Sequence, residues 1–120
     1  RLPLAWDKVA AWAPREEEFV RRAAFALIAT LSVHEKAEPD ARFIALLSLI
    51  EAHSDDNRNF VRKAVNWALR QIGKRNQALN GEAIRAAERI LARDTRAARW
   101  IAKDALRELR DRKTRMRLKA

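Results

Sequence analysis

Phe19-Val20-Arg21-Arg22-Ala23, Phe60-Val61-Arg62-Lys63-Ala64 and Trp100-Ile101-Ala102-Lys103-Asp104 begin 41 and 40 positions apart. Each opens on an aromatic residue, continues with a β-branched one and then turns basic. A recurrence near ~40 residues, with room for two helices per unit, is the signature of a HEAT-like α-solenoid rather than a closed bundle. Such a unit buries its apolar face only against its neighbours, so about three pairs are the minimum that holds together. The expectation is an all-α fold: a right-handed α-solenoid of about three HEAT-like helix pairs, six helices in all.

The flanking sequence supplies the helix boundaries. Leu4 to Ala13 is a short amphipathic piece, and Pro14 with Glu16, Glu17 and Glu18 reads as the first turn of a second helix ending near His34. Its expected buried face is Phe19, Ala23, Ala26, Leu27 and Leu31, with Thr30 beside them. A third helix, 39 to 53, is apolar almost all round at Phe43, Ile44, Leu46, Leu47, Leu49 and Ile50, and is expected to be the most buried. Ser54, Asp55 or Asp56 caps a fourth, 57 to 74, which Gly73 helps to end. Asn80 caps a fifth, 80 to 92, and Asp94 or Thr95 caps a sixth, 95 to 112. The expected repeat domain is 1 to 112, with 113 to 120 a frayed basic tail.

Composition narrows the chemistry. The 120 residues make one domain with a core; 2 Gly and 3 Pro are too few turn-makers for a many-stranded β fold, and the 48% hydrophobic and 35% charged residues suit amphipathic helices. No cysteine means no disulfide, no thiol nucleophile and no thiolate zinc site. No apolar run reaches membrane-spanning length, since Ser48 interrupts even Phe43 to Ile50, and nothing resembles a signal peptide; a soluble, intracellular protein is expected. His34 and His53 stand alone at helix ends, so neither a metal site nor a general base is expected, and no cofactor is implied.

Charge is concentrated. Residues 1 to 54 hold seven basic and eight acidic side chains, residues 55 to 120 nineteen and eight, within a net charge of +10. So lopsided a field points to a polyanion, with nucleic acid the default; the bland reading is a solvated Arg-rich surface. In the fourth helix Phe60, Val61, Ala64, Ala68 and Ile72 form the expected core face, while Arg58, Arg62, Asn66, Arg70 and Lys74 step by four along another stripe, flanked by Lys63 and Trp67. In the sixth, Ala98, Ile101, Ala102, Ala105 and Leu109 are expected inside, and Arg96, Arg99, Lys103, Arg107 and Arg110 outside. Arg15 and Arg22 share the phase in the second. A solenoid would align these stripes into one basic groove that fits a phosphate backbone. Trp67 among cations can stack on a base or wedge between helices. Trp6, Trp12 and Trp100 have less basic company and are expected to pack.

Asn59-Phe60-Val61-Arg62-Lys63-Ala64-Val65-Asn66-Trp67-Ala68-Leu69-Arg70 resembles the Phe-x-x-Lys-Ala-x-x-Trp-x-Leu-Arg signature of the AlkD-type DNA alkylation repair enzymes. Phe19-Val20-Arg21-Arg22-Ala23-Ala24 resembles their Trp-x-x-Arg-x-Ala segment one repeat earlier, and Ala98 to Leu106 looks like their closing helix. The resemblance implies a DNA glycosylase for positively charged N3- or N7-alkylated purines. The duplex would lie in the concave groove without base flipping, while aromatic side chains and an Asp stabilise the oxocarbenium-like sugar.

Carried over by position, the DNA-binding residues would be Arg22, Lys63, Trp67 and Arg70, and the groove adds Arg99 and Lys103. The partner would be double-stranded DNA containing alkylated bases, bound by a monomer in a bacterial cytoplasm with the nucleoid. The family's catalytic Trp-x-x-x-Asp segment has no match at Trp6, where Ala10 stands four residues on; Trp100 with Asp104 has the spacing in the wrong repeat. The catalytic residue is therefore expected upstream of Arg1, the chain being the C-terminal half of a longer solenoid. The alternative is a non-catalytic HEAT-repeat scaffold that binds DNA or an acidic protein.

Overall fold

The computed structural model describes residues 2–120, with side chains from Leu4 onward. Seven helices appear among the described residues, and no strand: α1 (Leu2–Trp12), α2 (Glu18–His34), α3 (Asp40–Ala52), α4 (Asn59–Gly73), α5 (Gln77–Arg93), α6 (Arg96–Leu109) and α7 (Arg112–Met116).

The first six stack as pairs in two layers. In the even layer α2 packs on α4 and α4 on α6; in the odd layer α3 packs on α5, while α1 lies on α2. The extents, 38 × 36 × 18 Å, describe a slab two helices thick. This is the all-α, solenoid-like stack that the 40-residue recurrence predicts.

Polar clamps at both edges show that the even-layer helices run parallel. At their N-terminal edge, Arg21 of α2 donates to Asp56 just before α4 at 2.9 Å, and Arg58 donates to Asp56 and to the Glu16 carbonyl. Asp56 is thereby held well below the usual carboxylate range, at about 2; the hydrogen bonds from Arg58 are the main cause and outweigh the opposing effect of burial. Beside this hub, His53 sets its ring edge-on to Phe25, and burial followed by the nearby Arg21 charge pushes its pKa down. His53 is thus a core-edge residue.

At the C-terminal edge, Arg75 donates to the Ser32, Glu35 and Glu38 carbonyls and lies 3.8 Å over Phe43, tying the end of α2 to the end of α4. It supplies donors to carbonyls that a helix end leaves unpaired. Asn80 spans the next gap, its side-chain amide donating to the carbonyls of Gly73 and Leu109.

Several sequence expectations change. The most enclosed helix is α4, flanked by α2 and α6 and backed by α5; α3 buries one row, Phe43, Leu47 and Ile50, and leaves Ile44 42% exposed. Asn80 is no cap: Asn76 caps α5, accepting from the Leu79 amide, and Asn80 is buried one turn inside. Pro14 closes the turn after α1, and α2 begins at Glu18. Asp56 accepts from the Arg58 amide ahead of α4, whose own N-cap position, Arg58, makes no side-chain cap. Thr95 caps α6 as expected. Beyond α6 the tail is not frayed throughout: Asp111 caps α7, and the Lys119 carbonyl accepts from the Gln77 amide at 2.8 Å.

The buried faces also shift. In α2 the core residues are Ala24, Phe25, Ile28, Ala29, Leu31 and Ser32, while Phe19 is 63% exposed and Thr30, though bonded to the Ala26 carbonyl, faces out. In α4 the face is Val61, Ala64, Val65, Ala68, Leu69 and Ile72, without Phe60. Where a helix is rich in alanine, two neighbouring stripes are nearly equal in hydrophobicity, and the larger side chains Phe25 and Ile28 decide which one turns inward. The α6 stripe is buried as expected.

Candidate nucleic-acid interface

The three recurring aromatics, Phe19, Phe60 and Trp100, are all exposed on the even layer, at 63%, 47% and 37%. Three residues after each comes an exposed cation: Arg22, Lys63 and Lys103. Seven residues after each come Ala26, Trp67 and Arg107, on the same helical face by the i, i+3, i+7 rule. The helices lie side by side, so the three triplets form a patch of aromatic rings and positive charge across α2, α4 and α6.

Contacts within the patch join neighbouring helices. The Phe19 and Phe60 rings are 6.1 Å apart, the Arg22 guanidinium lies 5.3 Å over Phe60, and the Arg62 guanidinium lies 5.0 Å over Trp100. Each cation–π contact at such a site contributes about 0.5–1 kcal/mol, and neither guanidinium forms an ion pair among the described residues. Lys63 and Lys103 form no ion pair among the described residues; neither does Arg96, one turn before Trp100 on α6.

Of the six residues the sequence singles out, four therefore meet on this patch: Arg22, Lys63, Trp67 and Lys103. Arg70 turns instead into the seam between α4 and α6. Its Nε donates to the Asn66 side chain at 2.8 Å and its Nη1 to Glu108 at 3.0 Å, with Asp104 at 3.9 Å. Lys74 reaches the other oxygen of Glu108 at 2.9 Å. Burial works against the Glu108 charge, but these hydrogen bonds outweigh it and hold its carboxyl below the ordinary range. Asn66, expected on the basic stripe, is buried and donates to the Ile101 carbonyl.

Arg99 is engaged as well. Its Nη1 donates to both the carbonyl and the side chain of Asp94, the residue at φ 58 that ends α5 in the left-handed region. Arg99 thus braces a turn that a non-glycine residue adopts at some cost. Arg15 lies before α2, paired with Glu17. Asp104 pairs with Arg107 at 3.2 Å.

Phe19, Phe60 and Trp100 are the patch residues missed by sequence reasoning, which assigned them to packing because large aromatics usually fill cores. The signal was present in the cation three residues after each, since residues at that spacing share a helix face. Trp6 does pack, edge-on to Phe43 at 5.9 Å, and Trp12 is half-buried. No group of metal-ligating side chains occurs among the described residues, and no helix is long and apolar enough to cross a membrane.

Exposed aromatic rings interleaved with cations, of which Arg22, Lys63 and Lys103 form no ion pair among the described residues, suit a ligand with planar groups on an anionic backbone. The model of the protein family described as DNA alkylation repair enzyme matches residues 2–115. No curated protein and no solved structure matches.

Proposed function

The chain belongs to the DNA alkylation repair enzyme family, and from that premise we propose that it is the DNA-binding part of a glycosylase that excises positively charged N3- or N7-alkylated purines. The observation that carries this reading is the threefold aromatic and cation register of Phe19 and Arg22, Phe60 and Lys63, Trp100 and Lys103 on one exposed layer. The cations neutralise backbone phosphates, each releasing a counter-ion, while Trp67, 38% exposed beside Lys63, offers a π face to the cationic base or its sugar.

Excision also needs a carboxylate to stabilise positive charge developing on the sugar. Asp104 is a poor candidate, held by Arg107 with Arg70 nearby. We therefore assign the catalytic carboxylate to a Trp-x-x-x-Asp segment N-terminal to these residues, and to this chain the HEAT-like half that grips the duplex as a monomer, with the nucleoid in a bacterial cytoplasm. A scaffold for an acidic protein is the competing reading.

A salt titration on duplex DNA tests the binding. Affinity is expected to fall steeply from 50 to 200 mM salt, and an affinity indifferent to salt would overturn the phosphate contacts. For excision, the protein carrying the upstream segment is expected to release 7-methylguanine, and Trp67→Ala is expected to slow that release; no release would overturn the glycosylase reading.

A further inference from the structure

Beyond the aromatic patch, five cations converge on a cleft of about 480 Å³ at the C-terminal edge of the even layer: Lys36, Lys74, Arg75, Arg117 and Lys119. Among the described residues no side-chain carboxylate lines it. Two of the five have structural work, Lys74 on Glu108 and Arg75 on the carbonyls that end α2. Lys36, Arg117 and Lys119 have neither an ion pair nor a side-chain hydrogen bond among the described residues. Arg117 and Lys119 come from the segment after α7, which the bond from the Gln77 amide to the Lys119 carbonyl holds across the edge of the slab.

The cleft continues the patch. Gln71, which lines it, stands one turn after Trp67 on α4, and Val33 stands two turns after Ala26 on α2. Lys74 is seven residues beyond Trp67, about 10 Å along the helix axis. Duplex DNA presents a phosphate on each strand every ~3.4 Å of its own axis, so that span corresponds to about three nucleotides.

We infer that this cleft is a phosphodiester clamp, in which the segment after α7 closes over the DNA backbone about three nucleotides from the base that Trp67 faces. The inference rests on the duplex-binding reading and adds to it a second contact zone, built by Lys36 and the C-terminal segment. The clamp reads no sequence; it fixes where the strand leaves the patch.

The test compares salt slopes for one duplex binding to three proteins: the unaltered chain, Lys36→Ala/Arg117→Ala/Lys119→Ala, and Lys63→Ala/Lys103→Ala. Each phosphate contact removed is expected to lower the slope of log K against log salt by about 0.9, so the cleft triple variant loses roughly 2 to 3. A cleft variant with an unchanged slope, beside a patch variant with a reduced one, overturns the clamp and leaves duplex binding intact. If neither variant changes the slope, duplex binding on this layer fails as well. A charge-conserving Lys36→Arg/Arg117→Lys/Lys119→Arg variant controls for folding: it must keep the slope, and its loss would overturn the clamp. Inorganic pyrophosphate separates a DNA clamp from a small-anion pocket. It should weaken duplex binding of the unaltered chain to the slope of the cleft variant, and saturable binding without that competition would overturn the assignment.

Discussion

Along α4 and at its C-cap, Asn66, Arg70 and Lys74 turn toward α6, while Lys63 and Trp67, on the same helix, turn to solvent. The seam residues meet partners in α6: the Ile101 carbonyl for Asn66 and the Glu108 carboxylate for Arg70 and Lys74. On the open side the corresponding α6 residues are Trp100 and Lys103, which offer Lys63 no carboxylate. The same kinds of side chain on one helix thus join two elements on one side and face solvent on the other. What separates the two roles is the neighbour across the gap.

The largest expected effect comes from filling the seam. A Cβ at Gly73 would meet Leu109 Cδ2 at 2.5 Å and the Ala83 Cβ at 3.0 Å, so Gly73 is required by close approach and not by its backbone angles. Gly73→Val is expected to destabilise by about 1–3 kcal/mol, read as a lowered urea midpoint. Lys63→Ala is the counterpart on the open side and is expected to leave the midpoint within about 0.5 kcal/mol. Equal losses would erase the distinction between seam and patch.

Acid gives the next largest effect. Asp56, at about 2 when folded against an ordinary 3.8, contributes stability that is fully present above about pH 4 and is lost as pH falls toward 2. Its share is about 1–2 kcal/mol, since the carboxylate is largely enclosed by Arg21 and Arg58. Glu108, shifted down less, adds a smaller loss in the same direction. Urea midpoints at pH 7, 6 and 2.5 should be level between the first two and lower at the third, and Asp56→Asn should remove most of that fall. The open patch carries no carboxylate in its three triplets and contributes nothing to the transition.

On the patch the effect is on binding. Lys63→Ala with Lys103→Ala is expected to lower duplex affinity about tenfold at 50 mM salt and to flatten the salt slope by about 1.8. Melting temperature should not move, because neither ammonium is paired. A lowered melting temperature with unchanged affinity would reverse the roles of seam and patch.

The sequence made the layered stack readable because aromatic, β-branched and basic residues recur at a spacing that fits stacked helix pairs. The α6 core stripe was equally plain, since Ile101 and Leu109 leave no competing face. Less readable was which stripe of α2 turns inward, where alanine makes neighbouring faces nearly equal until Phe25 and Ile28 meet α4. The geometry of the exposed patch was half readable. Arg22, Lys63, Trp67 and Lys103 follow from helical phase, but the diversion of Arg70 depends on Glu108, 38 residues away, and that of Arg99 on the left-handed turn at Asp94. Such pairings arise from tertiary approach, which periodicity within one helix does not encode.

The smallest expected effect is also the sharpest on the comparison itself, because it moves residues from one class to the other. Glu108→Gln keeps the size of the side chain at the seam and removes the charge that occupies Arg70 and Lys74. Glu108 is about one-third exposed, so the loss of stability should be only about 0.5 kcal/mol. Both cations then lack their main counter-ion, with Arg70 left near Asp104 alone. If partners rather than positions set the role, duplex affinity should rise two- to fivefold at 50 mM salt, with a salt slope steeper by up to about 0.9 per cation released. Affinity unchanged or lowered would mean that Arg70 and Lys74 are directed by the helix surface whether or not Glu108 holds them. The seam would then be a fixed part of the stack, with no reserve of binding charge.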